Sequence, residues 1–103
     1  MIIVRAPLRI SFVGGGTDLP DFYHKYPGRV ISTTIDKFVY LSINPTYLLN
    51  NFVMKYQITE TVSDPREFKH DRVREALLDL EIKRGLEISS SADVSAKTGL
   101  GSS

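Results

Sequence analysis

Cysteine is absent from the 103 residues, which excludes disulfides, thiol catalysis and thiolate metal sites. That absence is compatible with a reducing cytosol, and a cytoplasmic location is the expectation. Charge of one sign is lacking too. With 13 Lys and Arg against 12 Asp and Glu, the net charge of +1 gives no field for a polyanion, so phosphate recognition must be local and nucleic acid is not an expected partner. No long hydrophobic run occurs. The opening Met1-Ile2-Ile3-Val4 is apolar, but Arg5 and Arg9 interrupt it before a signal-peptide core or membrane span could form, so it reads as a strand and no membrane partner is expected. The two histidines, His24 and His70, have no carboxylates at ligand spacing, which favours surface or capping roles over metal binding. There is no Gly-x-x-x-x-Gly-Lys-Ser/Thr motif, and Gly14-Gly15-Gly16 does not fit Gly-x-Gly-x-x-Gly, so neither nucleotide fold is supported.

What remains is an ordinary globular composition, 42% hydrophobic and 24% charged, in a chain long enough for one small domain. Leu8, Ile10 and Phe12 alternate with Arg9, Ser11 and Val13, the period of a strand with one buried face, and the three glycines end it. Leu19, Phe22, Tyr23 and Tyr26 fall at helical spacing after Asp18, a natural N-cap, with Pro27-Gly28 as a stop. Arg29–Thr34 and Lys37–Asn44 read as two strands flanking Ile35-Asp36, and Phe52–Ile58 as a third with alternating apolar residues. Thr59–Lys69 reads as a loop. A helix capped by Asp71 then carries Val73, Ala76, Leu77 and Leu80 on one stripe and stops at Gly85. Leu86–Ser91 resumes strand alternation. The pattern predicts an α+β fold, a mixed or antiparallel sheet with helices on one face.

Two motifs carry chemistry. Lys97-Thr98-Gly99-Leu100-Gly101-Ser102-Ser103 can turn backbone N–H groups and two hydroxyls toward one anion, although a flexible polar tail has the same composition. The other is Arg5-Ala6-Pro7-Leu8-Arg9-Ile10-Ser11-Phe12-Val13 running into Gly14-Gly15-Gly16-Thr17-Asp18-Leu19-Pro20. Here Arg9 and Ser11 lie on the polar side of the strand.

Together these motifs resemble those of the GHMP kinases, the superfamily of galacto-, homoserine, mevalonate and phosphomevalonate kinases. Gly14–Pro20 followed by Ser32–Tyr40 is most similar to the bacterial heptose-7-phosphate kinases. The resemblance implies the ribosomal-S5-like N-terminal domain of these enzymes, with a sugar-binding motif over residues 6–23 and a phosphate loop over 95–103. It implies ATP and Mg2+ as cofactors and a sugar phosphate as the small-molecule partner. By the same resemblance Arg9 stands near the transferred phosphate, as opposed to serving as a solvated or ion-paired surface charge. Ser11, Gly15, Gly16, Thr17, Asp18, Thr34 and Asp36, with Thr33, fall about the sugar pocket. Asp18 then accepts from sugar hydroxyls or caps the helix, and Asp36 faces the sugar or caps a turn. Lys97–Ser103 would hold the ATP phosphates, with Ser103 the magnesium ligand.

Two departures qualify the match. Gly15 and Gly16 stand where galactokinase-type members carry Glu and His, leaving room for a bulkier substrate such as a seven-carbon sugar phosphate. Ser95 stands where the loop motif starts with proline, so the approach to the loop is less rigid. The run ends at Ser103 without the helix that should follow, so the chain reads as an N-terminal part, incomplete at its C-terminus, whose catalytic base and acidic magnesium ligand lie downstream. The expectation is a parent enzyme converting heptose 7-phosphate to the 1,7-bisphosphate, and no turnover by these residues alone. The alternatives are fucose or galactose as substrate, or a non-catalytic binding module that self-associates through an exposed sheet edge.

Overall fold

The computed structural model describes residues 1–46 and 50–95. The motif Lys97–Ser103 lies outside the described residues, as do the roles expected of it. Along the chain come β1 (Ile2–Val13), α1 (Pro20–Tyr23), β2 (Ile31–Pro45), β3 (Phe52–Lys55), β4 (Thr59–Val62), a 3-10 turn (Pro65–Glu67), α2 (Asp71–Asp79) and β5 (Leu86–Ala92). The five strands are ordered β1-β2-β5-β3-β4. β3 pairs antiparallel with β4, Met54 opposite Glu60, and parallel with β5, Met54 opposite Ile88. The sheet is therefore mixed, as expected of this α+β class. Two compact units divide the chain: Met1–Arg5 with Tyr40–Ser91, and Ala6–Val39 with the segment from Ala92 onward.

The first unit holds the hydrophobic core. Phe52 and Met54, two apart on β3, share a face and are buried together with Phe68, Leu77 of α2 and Ile88 of β5. Each such side chain contributes about 1.5–3 kcal/mol by leaving water. β4 stands where a loop was expected. Its Thr-Glu-Thr-Val alternation looks polar, but pairing with β3 supplies its backbone partners, after the connection Tyr56-Gln57-Ile58 turns the chain. Phe68, also within the expected loop, is almost wholly buried.

α2 is capped by His70, not Asp71: the His70 imidazole Nδ1 accepts the Val73 N–H at 3.4 Å, while Asp71 begins the helix and pairs with Arg74 at 2.8 Å. Nor does Gly85 end it. Leu80 is the C-cap, Glu81 follows at φ 53°, and the N–H groups of Glu81 and Ile82 donate to the carbonyls of Leu78 and Leu77. This is the double bond of a Schellman motif, with Glu81 at the position that usually holds glycine.

In the second unit the expected breaks and buried faces differ as well. β2 runs unbroken through Ile35-Asp36, where no glycine or proline stops it, so Asp36 is an exposed strand residue and not a turn cap. On β1 only Leu8 is buried, at 3% exposure, whereas Phe12 on the same predicted face is 68% exposed. α1 is one turn long and begins after Leu19, whose side chain makes no cap; Asp18 is not the N-cap. The proline in β1, Pro7, is compatible with an edge strand, where a missing N–H leaves no neighbour unpaired. Among the described residues no helix is long and apolar enough to cross a membrane.

Candidate functional site

Every described residue expected to bind substrate falls in the second unit. β1 carries Arg9 and Ser11, both exposed, two residues apart and so on one face of the strand. The strand ends at Gly14, which sits at φ +82°, a backbone conformation open chiefly to glycine. A Cβ there would stand 1.9 Å from the Arg29 carbonyl oxygen, so the turn needs glycine on both counts.

Thr17 closes this turn. Its N–H donates to the Gly14 carbonyl at 3.0 Å, and its hydroxyl lies 2.8 Å from that oxygen and 3.0 Å from the Arg29 carbonyl oxygen. One hydroxyl proton serves both acceptors in turn. Gly28 presses from the other side, since a Cβ on it would come within 2.5 Å of the Thr17 carbonyl oxygen. Thr17 thus holds the glycine turn in shape, a role its sequence position did not announce. The signal was Gly28 itself, read only as a helix stop.

The two neighbouring glycines differ from Gly14. A Cβ on Gly15 would make an ordinary 3.4 Å contact with the Ser11 Cβ, and one on Gly16 would meet nothing within 4 Å. The structure therefore brings Ser11 beside Gly15 and leaves open space at Gly16. Asp18 follows on the same turn, exposed. On β2, Thr34 and Asp36 are exposed and share a face by the two-residue period, and the Thr33 hydroxyl donates to the Thr34 carbonyl at 3.3 Å.

The described ion pairs, Lys55–Glu87, Arg66–Asp64 and Arg74 with Asp71 and Glu75, all belong to the first unit. Arg9 is in none of them. Its guanidinium is a planar five-donor group suited to an incoming phosphate. The carboxylates and hydroxyls of Asp18, Asp36, Ser11 and Thr34 are suited to sugar hydroxyls. Of the histidines, His70 is the α2 cap and His24 packs against Tyr23 with the rings tilted by 51° and their centroids 4.7 Å apart. Among the described residues no group of three or more His, Cys, Asp and Glu side chains is placed to hold a metal ion.

The shifted carboxylates lie in the first unit. Glu60 is held below the usual carboxylate range mainly by the Lys69 backbone N–H at 2.9 Å, helped by the Tyr56 hydroxyl. The Arg66 side chain, then the Arg66 N–H, hold Asp64 down to about 2. Neither belongs to the candidate site. Two cavities of roughly 490 and 470 Å³ are also in that unit, lined by residues such as Asn50, Lys83 and Arg84 or Asp64, Arg66 and Leu78, and these two hold none of the expected site residues.

No protein-family model matches the chain, and no curated protein matches it in sequence. Solved structures do match in fold. A D-glycero-D-manno-heptose 1-phosphate kinase from Bacteriodes thetaiotaomicron aligns over 97% of this chain and 36% of its own, at TM-score 0.74 and 21% identity. Methanococcus jannaschii mevalonate kinase aligns over 98% of this chain and 35% of its own, at 0.68 and 19%. A further mevalonate kinase covers 99% and 36%, at 0.69 and 19%. The chain has the fold implied by its resemblance to the GHMP kinases, and it spans about a third of the length of these structures.

Proposed function

We propose that this chain is part of an ATP-dependent small-molecule kinase of GHMP type, and that its phosphoryl acceptor is a sugar phosphate. The observation that carries the reading is the fold match over 97% of the chain to a structure named as a heptose phosphate kinase, combined with a site-rich second unit. Phosphoryl transfer needs positioned hydroxyls and charge at the moving phosphoryl group more than covalent help from the protein. On this reading Arg9 meets that charge, while Ser11, Asp18, Thr34 and Asp36 bind and orient sugar hydroxyls. Thr17 fixes the turn that presents Asp18. ATP, with magnesium, would be held by Lys97–Ser103, Ser103 being the metal ligand. A cytoplasmic location, where ATP is at hand, accompanies the proposal.

For the substrate we favour heptose 7-phosphate, phosphorylated at its anomeric hydroxyl to the 1,7-bisphosphate. Open space at Gly16 supports a bulky acceptor, since a side chain there would project into it. The test is a side-by-side assay of the complete gene product with ATP and heptose 7-phosphate, fucose or galactose. Turnover of heptose 7-phosphate at least tenfold above the others supports the choice; preference for fucose or galactose overturns the substrate and keeps the kinase. Absence of turnover with all three would favour a second reading, a non-catalytic module that pairs through β1, an edge strand of 12 residues. Light scattering that finds a monomer removes that second reading.

A further inference from the structure

We infer that the backbone of Gly28 and Arg29 is a clamp that positions Asp18, acting through the peptide between Thr17 and Asp18. The inference rests on the kinase reading, in which Asp18 binds a sugar hydroxyl, and adds to it two residues outside both sequence motifs.

Residues 28 and 29 touch both ends of the glycine turn. At its start the Arg29 carbonyl fills the place that a Cβ on Gly14 would take, and it accepts the Thr17 hydroxyl at 3.0 Å. At its end a Cβ on Gly28 would lie 2.5 Å from the Thr17 carbonyl oxygen, 3.1 Å from the Thr17 hydroxyl oxygen and 3.2 Å from the Thr17 carbonyl carbon. That carbonyl belongs to the peptide whose nitrogen is Asp18's own, and because a peptide is planar, turning the carbonyl turns Asp18 with it. The contact is one peptide plane from the candidate sugar-binding carboxylate.

Gly28 and Gly14 are glycine for different reasons. Gly14 needs its positive φ, whereas Gly28 lies outside that region, so its backbone would accept other residues and only the approach of Thr17 excludes them. Nor does Gly28 end a helix, since α1 closes at Tyr23 with His24 as its C-cap. Gly14, Thr17, Asp18, Gly28 and Arg29 all belong to the second unit. Apart from the Thr17 hydroxyl the grip is made by main chain, and the Asp18 side chain is exposed to an incoming ligand. A carboxylate placed by its own backbone is set with little slack, and a displacement of about 1 Å is enough to spoil the orientation of a bound hydroxyl.

The test uses the complete gene product and whichever of heptose 7-phosphate, fucose and galactose the unmutated protein prefers, and it measures KM for that sugar and for ATP. Gly28→Ala pushes the peptide, Thr17→Val drops both hydroxyl bonds, and each is repeated in an Asp18→Ala background. Expected is a sugar KM about tenfold higher in either single variant with KM for ATP within about twofold, and no more than about twofold further change when either is added to Asp18→Ala. Should Gly28→Ala fail to fold, Thr17→Val carries the same comparison. An unchanged sugar KM in the folded variants overturns the inference and leaves the kinase reading standing. A further loss of about tenfold on top of Asp18→Ala also overturns it, since independent effects multiply and the clamp then acts elsewhere. So does an equal rise in both KM values, because the role is then structural. If the unmutated protein phosphorylates none of the three sugars, the kinase reading falls first and the inference with it.

Discussion

Gly14 and Arg29 meet backbone to backbone, so closely that the carbonyl of the second occupies the space of any side chain on the first. Gly14→Ala must move that carbonyl and hold a non-glycine residue at φ +82°, and is expected to cost about 2 kcal/mol or more of stability. Gly16→Ala, in open space, should change stability by no more than about 0.5 kcal/mol. Urea unfolding of the two variants checks the contrast. Equal losses would mean that the turn does not depend on the Arg29 contact.

The α2 cap offers a second measurement. His70→Ala removes the acceptor of the Val73 N–H and should lose about 1 kcal/mol, while His70→Asp, a stronger cap, should match or exceed the parent. Helix content and urea midpoints report both. A His70→Ala protein as stable as the parent would show that the 3.4 Å bond contributes little.

Glu81 occupies a left-handed position that favours glycine. Glu81→Gly is expected to raise stability by about 0.5–1 kcal/mol, against the general cost of glycine, because the Leu77 and Leu78 carbonyls keep their partners. Thermal unfolding would show a higher midpoint; a lower one would mean that unfolded-state freedom outweighs the relieved backbone.

Asp64 carries a pH dependence. Its carboxyl is depressed to about 2 by Arg66, so its favourable contribution is fully present above the ordinary carboxylate range and is lost as pH falls from about 4 toward 2. Arg66→Ala should return the Asp64 titration toward the ordinary range and flatten the acid limb of stability in that window. Carbon-detected NMR titration of the side-chain carboxyl measures the midpoint directly. Arg66 is largely solvated and Asp64 more than a third exposed, so the effect on stability at neutral pH should be small.

Strong periodicity was legible in the sequence where packing enforced it. Phe52 and Met54, the stripe through Leu77 and the alternation through Ile88 all lie on buried faces, and each was visible as a period of two or of three to four. β4 and Phe68 were hidden because their support comes from β3 and from the core, partners distant from a short polar window. The caps were misplaced by one residue or more because His and Glu took roles usually held by Asp and Gly. For the site, the described candidate residues fall in one unit, and the motif Lys97–Ser103 lies outside the described residues. What sequence spacing could not show was how the glycine turn is held, since the Thr17 hydroxyl and the backbone of Gly28 and Arg29 meet only after α1 has brought the chain round.

Among the described residues, the unit with the candidate site buries one large apolar side chain, Leu8, while the core of Phe52, Met54, Phe68, Leu77 and Ile88 belongs to the other. On the kinase reading, a site framed by so little apolar packing would draw part of its order from its ligand, because whatever binds the folded form and not the unfolded one adds its own binding free energy to that form. Acceptor and nucleotide would then act as removable structural parts, ordering the second unit when present. Specificity could drift there by substitution of Ser11, Gly16 or Asp36 while the foundation of the fold, held elsewhere in the chain, stays unaltered.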